Sequence, residues 1–369
     1  MPYPKFDRNK LEIKRLSDRE NKVYIERDHV PVDRLPRALT QSGLKLIDKT
    51  VSRIRKAREK NRPVMLAFGA HTIKNGLGPT LIALITEGWV THLATNGAGI
   101  IHDWEFAYQG ASSEDVRENV NRGQFGIWDD TGFYINLALV VGAYEGLGYG
   151  ESVGKMVHLE GLDIPELSML YDFARENMTN DPGRAAAAID LAGVINHFTL
   201  SPGFMEIPHP YKDYSVQGSA YKISIPFTGH PMFGHDIIYT HPMNHGASIG
   251  RTAENDFLSY AHSVSNLENG VYMSVGSAVM SPMIFEKSLS MAQNMEIQRG
   301  SHINNHYILV VDLAEAEWDW NKNGEPPVNN PAYYLRYCKT FHRMGGEMHY
   351  LTADNRDFLL ALHRGLKGS

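Results

Sequence analysis

Six apolar runs, each the length of one strand, punctuate the chain: PVMLAF (63–68), WVTHLAT (89–95), KISIPF (222–227), VYMSV (271–275), YILVVDL (307–313) and EMHYL (347–351). Near-continuous apolar runs of this length suit strands buried on both faces. Before, between or after them lie segments with helical apolar spacing: 44–54, GPTLIALITEG (78–88), AENDFLSYAHSVSNL, SPMIFEKSLSMAQNM and DNRDFLLALHRGL. Parallel strands cannot be joined by a tight turn, and a helical crossover supplies the connection. The alternation predicts an α/β fold: a Rossmann-like, mainly parallel six-stranded sheet with helices on both faces.

The stretch from about 112 to 215 interrupts this rhythm. YINLALVVGAYEGLG, LSMLYDFARENM and DPGRAAAAIDLAGVINHF all carry helical periodicity, the last opened by Asp-Pro. We read it as a helical insertion within a single α/β domain spanning 41–369. Residues 1–40 are polar and Pro-punctuated, which predicts an N-terminal arm lying over the body or a neighbouring subunit.

Composition narrows the function classes. The 369 residues are 43% hydrophobic and 21% charged, and no run approaches the roughly 18 apolar residues of a membrane helix. The N-terminal stretch is charged and lacks the apolar core of a secretion signal. The single cysteine, Cys338, excludes an internal disulfide framework and fits a reducing compartment. A net charge of −6 argues against a nucleic-acid footprint. These features predict a cytoplasmic chain with no membrane and no nucleic-acid partner.

In open α/β sheets, ligands bind beyond the carboxyl ends of the strands. That rule selects Gly69-Ala70-His71, Asn96-Gly97-Ala98-Gly99, Thr228-Gly229-His230, Gly276-Ser277-Ala278 and the segment after Leu313. Small residues there let backbone amides approach a phosphate, and a following helix start adds a favourable dipole. No G-x-G-x-x-G follows a strand. GLGYGESVG (146–154) offers the glycines but follows a helical segment, so it reads as a loop.

Three other constellations stand out. His230, His235, Asp236, His241 and His245 fall within sixteen residues, but their spacings match no usual metal motif. We assign no metal, and a metal-assisted lyase or hydrolase stays open as an alternative. In HDWEF, Asp103 and Glu105 suit the first turn of a helix, while His102 and Asp103 also suit a cofactor mouth. In YCKTF, Cys338 reads as a small buried hydrophobe, and Lys339 has aromatic company whose desolvation favours the neutral, nucleophilic amine.

The stretch AFGAHTIKNGLGPTLIALITEGWVTHLATNGAGIIHDWEFA resembles deoxyhypusine synthase and its bacterial relatives. The likeness continues through ISIPFTGHPMFGHDII, MSVGSAVMSP, YLRYCKTF and HYLTADNRDFLLAL, covering mainly 63–110 and 217–365. It implies a Rossmann-like subunit that binds NAD and assembles as a homotetramer with sites at subunit interfaces. It further implies oxidation of an amine with NAD, capture of an alkylamine group as a lysine imine, and transfer to an acceptor amine. Carried over, the NAD turns fall on Ala70 and His71, on Asn96, Gly97, Ala98 and Gly99, on Gly276 and Ser277, and on Ala353 and Asp354. The imine-forming lysine falls on Lys339, with Tyr337 at the preceding aromatic position. The amine-binding aspartate falls on Asp236, with His235 beside it.

The departures concern the substrate. Ile101-His102 stands where the family has Glu-Glu, which makes His102 a candidate catalytic group. Ser281 stands where the family has a histidine, and NPAYYLRYCK lacks the family's carboxylate. Each charge-assisted contact contributes about 1.5–3 kcal/mol, so losing several costs a polycation orders of magnitude in affinity. The resemblance therefore implies an amine that need not be spermidine, with homospermidine synthase-like transfer to a small amine in view and a protein acceptor left open. A non-catalytic NAD-binding scaffold is the other alternative.

Overall fold

Strand β1 (Val64–Phe68) is buried at all five residues, because a parallel neighbour lies on each side and helices cover both faces. The other strands of its sheet are β2 (His92–Asn96), β3 (Phe227–His230), β4 (Val271–Val275), β5 (Tyr307–Asp312) and β6 (Glu347–Thr352). The computed structural model describes residues 3–37 and 39–368. All six strands are parallel, in the order β3-β2-β1-β4-β5-β6. That is the doubly wound order, in which the chain builds outward from β1 on one side and from β4 on the other.

Period-two alternation distributes the strand residues between two layers. Met65, Ala67, Tyr272, Ile308, Val310 and Met348 join a core with Tyr260, Val264, Phe285, Leu289, Cys338 and Phe341. Those partners come from helices Gly246–Ser265, Met280–Gln298 and Arg336–Arg343. Val64, Leu66 and Phe68 point the other way, where helix Gln41–Glu59 packs on the sheet and on helix Asn355–Lys367. Burying one such Phe or Leu side chain contributes about 1.5–3 kcal/mol.

The chain divides into two compact units. A sheet unit comprises Asp28–Gly99, Ile223–His230 and Phe257–Ser369; a helical unit comprises Met1–Arg27, Ile100–Lys222 and Pro231–Asp256. The helical unit is built on Asp129–Glu145, Tyr149–Leu159, Leu167–Asn177 and Pro182–Phe198, with antiparallel pairs Val23–Tyr24/Ala111–Ser112 and Gly161–Ile164/Gly203–Glu206. The Asp-Pro start behaves as read: Asp181 Oδ1 accepts from Arg184 N at 3.1 Å, capping Pro182–Phe198.

Two sequence readings need correction. The run 222–227 is not a strand. Helix Val216–Lys222 occupies its start, Ser224 takes a left-handed φ of 56°, and Ile223 is exposed. Pro226 has no N–H to give a ladder, so β3 begins only after it, with Pro226 O accepting from Leu93 N. The glycines of 146–154 are not a loop either. Gly146 ends one helix in the left-handed region, and Gly148 caps the next, Tyr149–Leu159.

The polar N-terminal segment has a buried anchor. Arg19 forms a fork with Glu105, Nη1 to Oε1 at 2.8 Å and Nη2 to Oε2 at 2.7 Å, with side chains 2% and 1% exposed. Burial alone would raise the Glu105 carboxyl, but the Arg19 charge and hydrogen bonds, with His102 and Ser112, outweigh it and hold it below the usual range. The stability this pair adds is therefore present above the unfolded carboxylate range and lost as pH falls through the folded value. Arg19→Met should lower stability at pH 7 by about 3–5 kcal/mol, because it leaves a buried carboxylate uncompensated. In urea titrations the deficit should shrink toward acid pH, where Glu105 takes up a proton. Equal stability at pH 7 would show that the pair contributes nothing.

Candidate functional site

The strand order places a topological switch between β1 and β4, so the carboxyl ends of these two strands are where a ligand would lie. There the backbones are in direct contact. A Cβ on Gly69 would sit 2.0 Å from the Gly276 carbonyl oxygen. Gly69 N donates to Val275 O at 3.0 Å and Gly276 N to Val311 O at 2.9 Å, which locks three strand ends together. Gly276 has a φ of 58°, a second reason for glycine. Asn355, first residue of helix Asn355–Lys367, donates to Thr72 Oγ1 at 3.1 Å and ties the turn after β6 to the short helix Ala70–Lys74. Turns after β1, β4 and β6, which carry Ala70, Gly276, Ser277 and Asp354, thus meet. His71 is exposed.

At the end of β2, Asn96 Oδ1 accepts from Gly99 N at 3.0 Å, so Asn96 caps helix Gly97–Gln109. A Cβ on Gly99 would lie 2.2 Å from Thr95 Oγ1, whose hydroxyl is bonded to Phe68 O. Ser277 Oγ accepts from Ser281 N at 3.2 Å at the start of helix Met280–Gln298. Asp354 caps its own helix through Arg356 N, and the Arg356 guanidinium bonds hold its carboxyl below the ordinary range. The edge presents small residues and two long helix starts, which suits a dinucleotide phosphate. The position that in dinucleotide-binding folds carries a ribose-binding acid holds Asn96, its oxygen already used by Gly99.

Lys339 lies on helix Arg336–Arg343, with Nζ 3.3 Å from the Tyr333 ring centroid, a cation–π contact. Tyr337 beside it is half-buried, and burial pushes its hydroxyl up to about 12. Burial also pushes the Cys338 thiol far up, which leaves it an inert core residue. Ser281 is fully buried and bonded at 2.7 Å to Tyr272 OH, which also accepts from Tyr260 OH. It is therefore part of a core hydroxyl chain. His230 in β3 shares Thr228 Oγ1 with His92, each at 3.0 Å, and burial lowers both imidazoles to about 3, so they are neutral.

In the helical unit, Asp236 precedes the turn Ile237–Thr240 without capping it, and its buried Oδ2 has no hydrogen-bond partner. Burial raises its carboxyl to about 7. The hydroxyls of Tyr149 and Tyr239, equally buried and unpartnered, lie within electrostatic reach. Neither tyrosine carries a sequence signal, and the pair is found only through the fold. Asp103 is committed locally: it accepts from Ser215 Oγ, Val216 N and Gln217 N, and burial raises it to about 6 against those bonds. His235 is exposed; His241 bonds Asp129 at 3.0 Å, and His245 bonds Ser248 at 2.9 Å. Among the described residues no three His, Cys, Asp or Glu side chains are placed to hold one metal ion. No helix among them is long and apolar enough to cross a membrane.

No family model and no curated protein matches the chain. Solved structures similar to it include AgrE in complex with ornithine and NAD+, at 16% identity and a TM-score of 0.44 over 90% of this chain. They also include a conserved protein of Methanococcus maripaludis S2, described provisionally as LOR/SDH, at 14% identity and a TM-score of 0.44 over 90% of this chain and 69% of that one. A deoxyhypusine synthase of Entamoeba histolytica, so described provisionally, follows at 11% and 0.35 over 73% and 78%. This chain spans about a third of the length of AgrE, 34%. At these levels the likenesses carry no argument about activity.

Asp236 gives a testable pH dependence. Its folded value of about 7 lies above the unfolded value near 4, so the folded state holds the proton more tightly. Stability therefore falls as pH rises from about 4 to about 7 and levels beyond. Asp236→Asn should abolish this slope and gain on the order of 3 kcal/mol over wild type at pH 8, by urea unfolding. Parallel pH profiles for the two chains would show that Asp236 titrates normally.

Proposed function

We propose that this chain is an NAD-dependent enzyme acting on an amine, of deoxyhypusine synthase type. The observation that carries the reading is the β3-β2-β1-β4-β5-β6 order with small-residue turns where β1, β2 and β4 end. Backbone amides at Ala70, Gly97, Ala98 and Ser277 would hold the dinucleotide, and Asp354 lies at the next turn. When bound, NAD supplies a hydride acceptor for the carbon that bears the amine. The buried, unpartnered Asp236 carboxyl supports recognition of an amine, since an ammonium would give it the charge partner it lacks. One such acid favours a small amine over a long polycation. Transfer of an alkylamine through an imine on Lys339 requires that the lysine leave the Tyr333 face and lose its proton.

The reading includes a homo-oligomer, proposed as a tetramer. Met283, Met291 and Met295 are exposed on helix Met280–Gln298, apolar surface that suits a subunit contact. Light scattering showing a monomer at micromolar concentration would refute this part.

Calorimetry with NAD tests the cofactor. Wild type should bind, and Gly97→Val should lose binding at least tenfold while keeping its far-UV spectrum; unchanged affinity in a folded variant would sink the reading. Incubation with NAD and small diamines, then borohydride, should leave a mass adduct on Lys339. A Lys339→Ala chain with normal turnover would rule out the lysine while leaving NAD binding intact.

A further inference from the structure

β6 is an outer strand of the sheet, with β5 on one side and no strand on the other. Bonds from Glu347 N to His306 O and from Ala353 N to Asp312 O fix its phase against β5. In a parallel pair alternate residues turn their N–H and C=O toward the neighbour. Glu347, His349 and Leu351 therefore serve β5, and Met348, Tyr350 and Thr352 face the open side. At Met348 that side is already paired. Asn321 Oδ1 accepts from Met348 N at 3.1 Å and Asn321 Nδ2 donates to Met348 O at 2.7 Å, the two bonds a seventh strand would make. Beyond it, the backbone N–H and C=O groups of Tyr350 and Thr352 have no partner among the described residues. The strand carries neither proline nor lysine and its register is unbroken, so the usual devices that blunt an edge are missing.

This open side lines a groove of about 920 Å3 that lies wholly within the sheet unit. One wall is the start of helix Gln41–Glu59, where a Cβ on Gly43 would lie 3.2 Å from Leu351 Cδ1. The other is the segment 314–320, tied down at Ala314 O, which accepts from Tyr350 OH at 2.6 Å and Thr352 Oγ1 at 3.1 Å. Its residues alternate. Ala314, Ala316, Trp318 and Trp320 pack into the sheet core, while Glu315, Glu317 and Asp319 are exposed. All three acids line the groove, and among the described residues no lysine or arginine does. We propose that β6 is a docking edge, to which an extended, lysine- or arginine-rich segment of a partner protein adds as a seventh strand. Main-chain bonds to Tyr350 and Thr352 supply the affinity, and the acid row selects basic side chains. From Met348 to Thr352 the edge runs about 13 Å at about 3.3 Å per residue, which seats about five residues of the partner.

Neither NAD nor Asp236 takes part, so the test runs on the full chain without cofactor. The probe is a heptapeptide of alternating lysine and valine with blocked ends, titrated by calorimetry. Saturable binding is expected, weakened about tenfold in about 0.5 M salt, and a peptide with glutamate for lysine should not bind. Methylating the backbone nitrogens of one alternate set of peptide residues should lose at least tenfold, and of the other set less than threefold, because only one set faces β6. Equal effects of the two sets, or no saturable binding of the lysine peptide, overturn the proposal. Thr352→Pro removes one outward N–H and should lose about tenfold, while Thr352→Val keeps it and should bind within threefold of wild type. Where Thr352→Pro fails to fold, the two methylated peptides decide. Glu315→Lys combined with Glu317→Lys should lose at least tenfold with the far-UV spectrum unchanged; unchanged affinity overturns the selection of a basic partner. Light scattering reads the other occupant: a smaller assembly on peptide addition assigns the edge to a second copy of this chain and overturns the partner.

Discussion

The contact between Gly69 and the Gly276 carbonyl is the constraint on which the sheet edge depends. β1 and β4 are adjacent, and their ends approach so closely that no Cβ fits between them. Because Val275 O takes Gly69 N and Gly276 N goes to Val311 O, the turns after the strands are pinned to one another. Strands buried on every side have no side chain to spare for chemistry. Whatever binds at this edge meets backbone amides and helix starts, and selectivity must come from residues carried on the turns and helices beyond it.

Four carboxyls of this chain, Asp236, Asp103, Glu105 and the partly exposed Asp354, differ in titration according to what faces them. Asp236 has no partner for Oδ2, and burial alone takes it to about 7. Asp103 has three donors but no cation, and stands at about 6. Glu105 and Asp354 each face an arginine, and both lie below the ordinary range. For these four, hydrogen bonds temper the cost of burial, and a directly bonded arginine reverses it. The same residue types can therefore serve as a neutral acid in one place and a fixed anion in another.

How much of this was legible in the sequence depended on range. Five of six strands lay where apolar runs placed them, because a strand buried on both faces needs nothing but its own residues to announce it. The sixth slid past Pro226, where the missing N–H outweighed the apolar pattern of 222–227. Turn positions at Gly69, Asn96 and Gly276 followed from strand ends, but Asn96 as a helix cap and Ser281 as a core hydroxyl emerged only with their partners. Arg19 and Glu105 are 86 positions apart, and Asp236 is as far from Tyr149. No local pattern encodes such pairs.

The histidines make the same point in reverse. Those between 230 and 245 crowd together in the sequence, yet His230, His241 and His245 bond separate partners and His235 is exposed. His230 ends a strand and shares Thr228 with His92; His241 faces Asp129; His245 turns back on Ser248. A strand leading into a loop and a short turn sends successive side chains in different directions, so density along the chain does not become density in space. His102 has no histidine within nine residues of it in sequence, but the fold joins its ring through Ser112 to the buried Glu105–Arg19 pair.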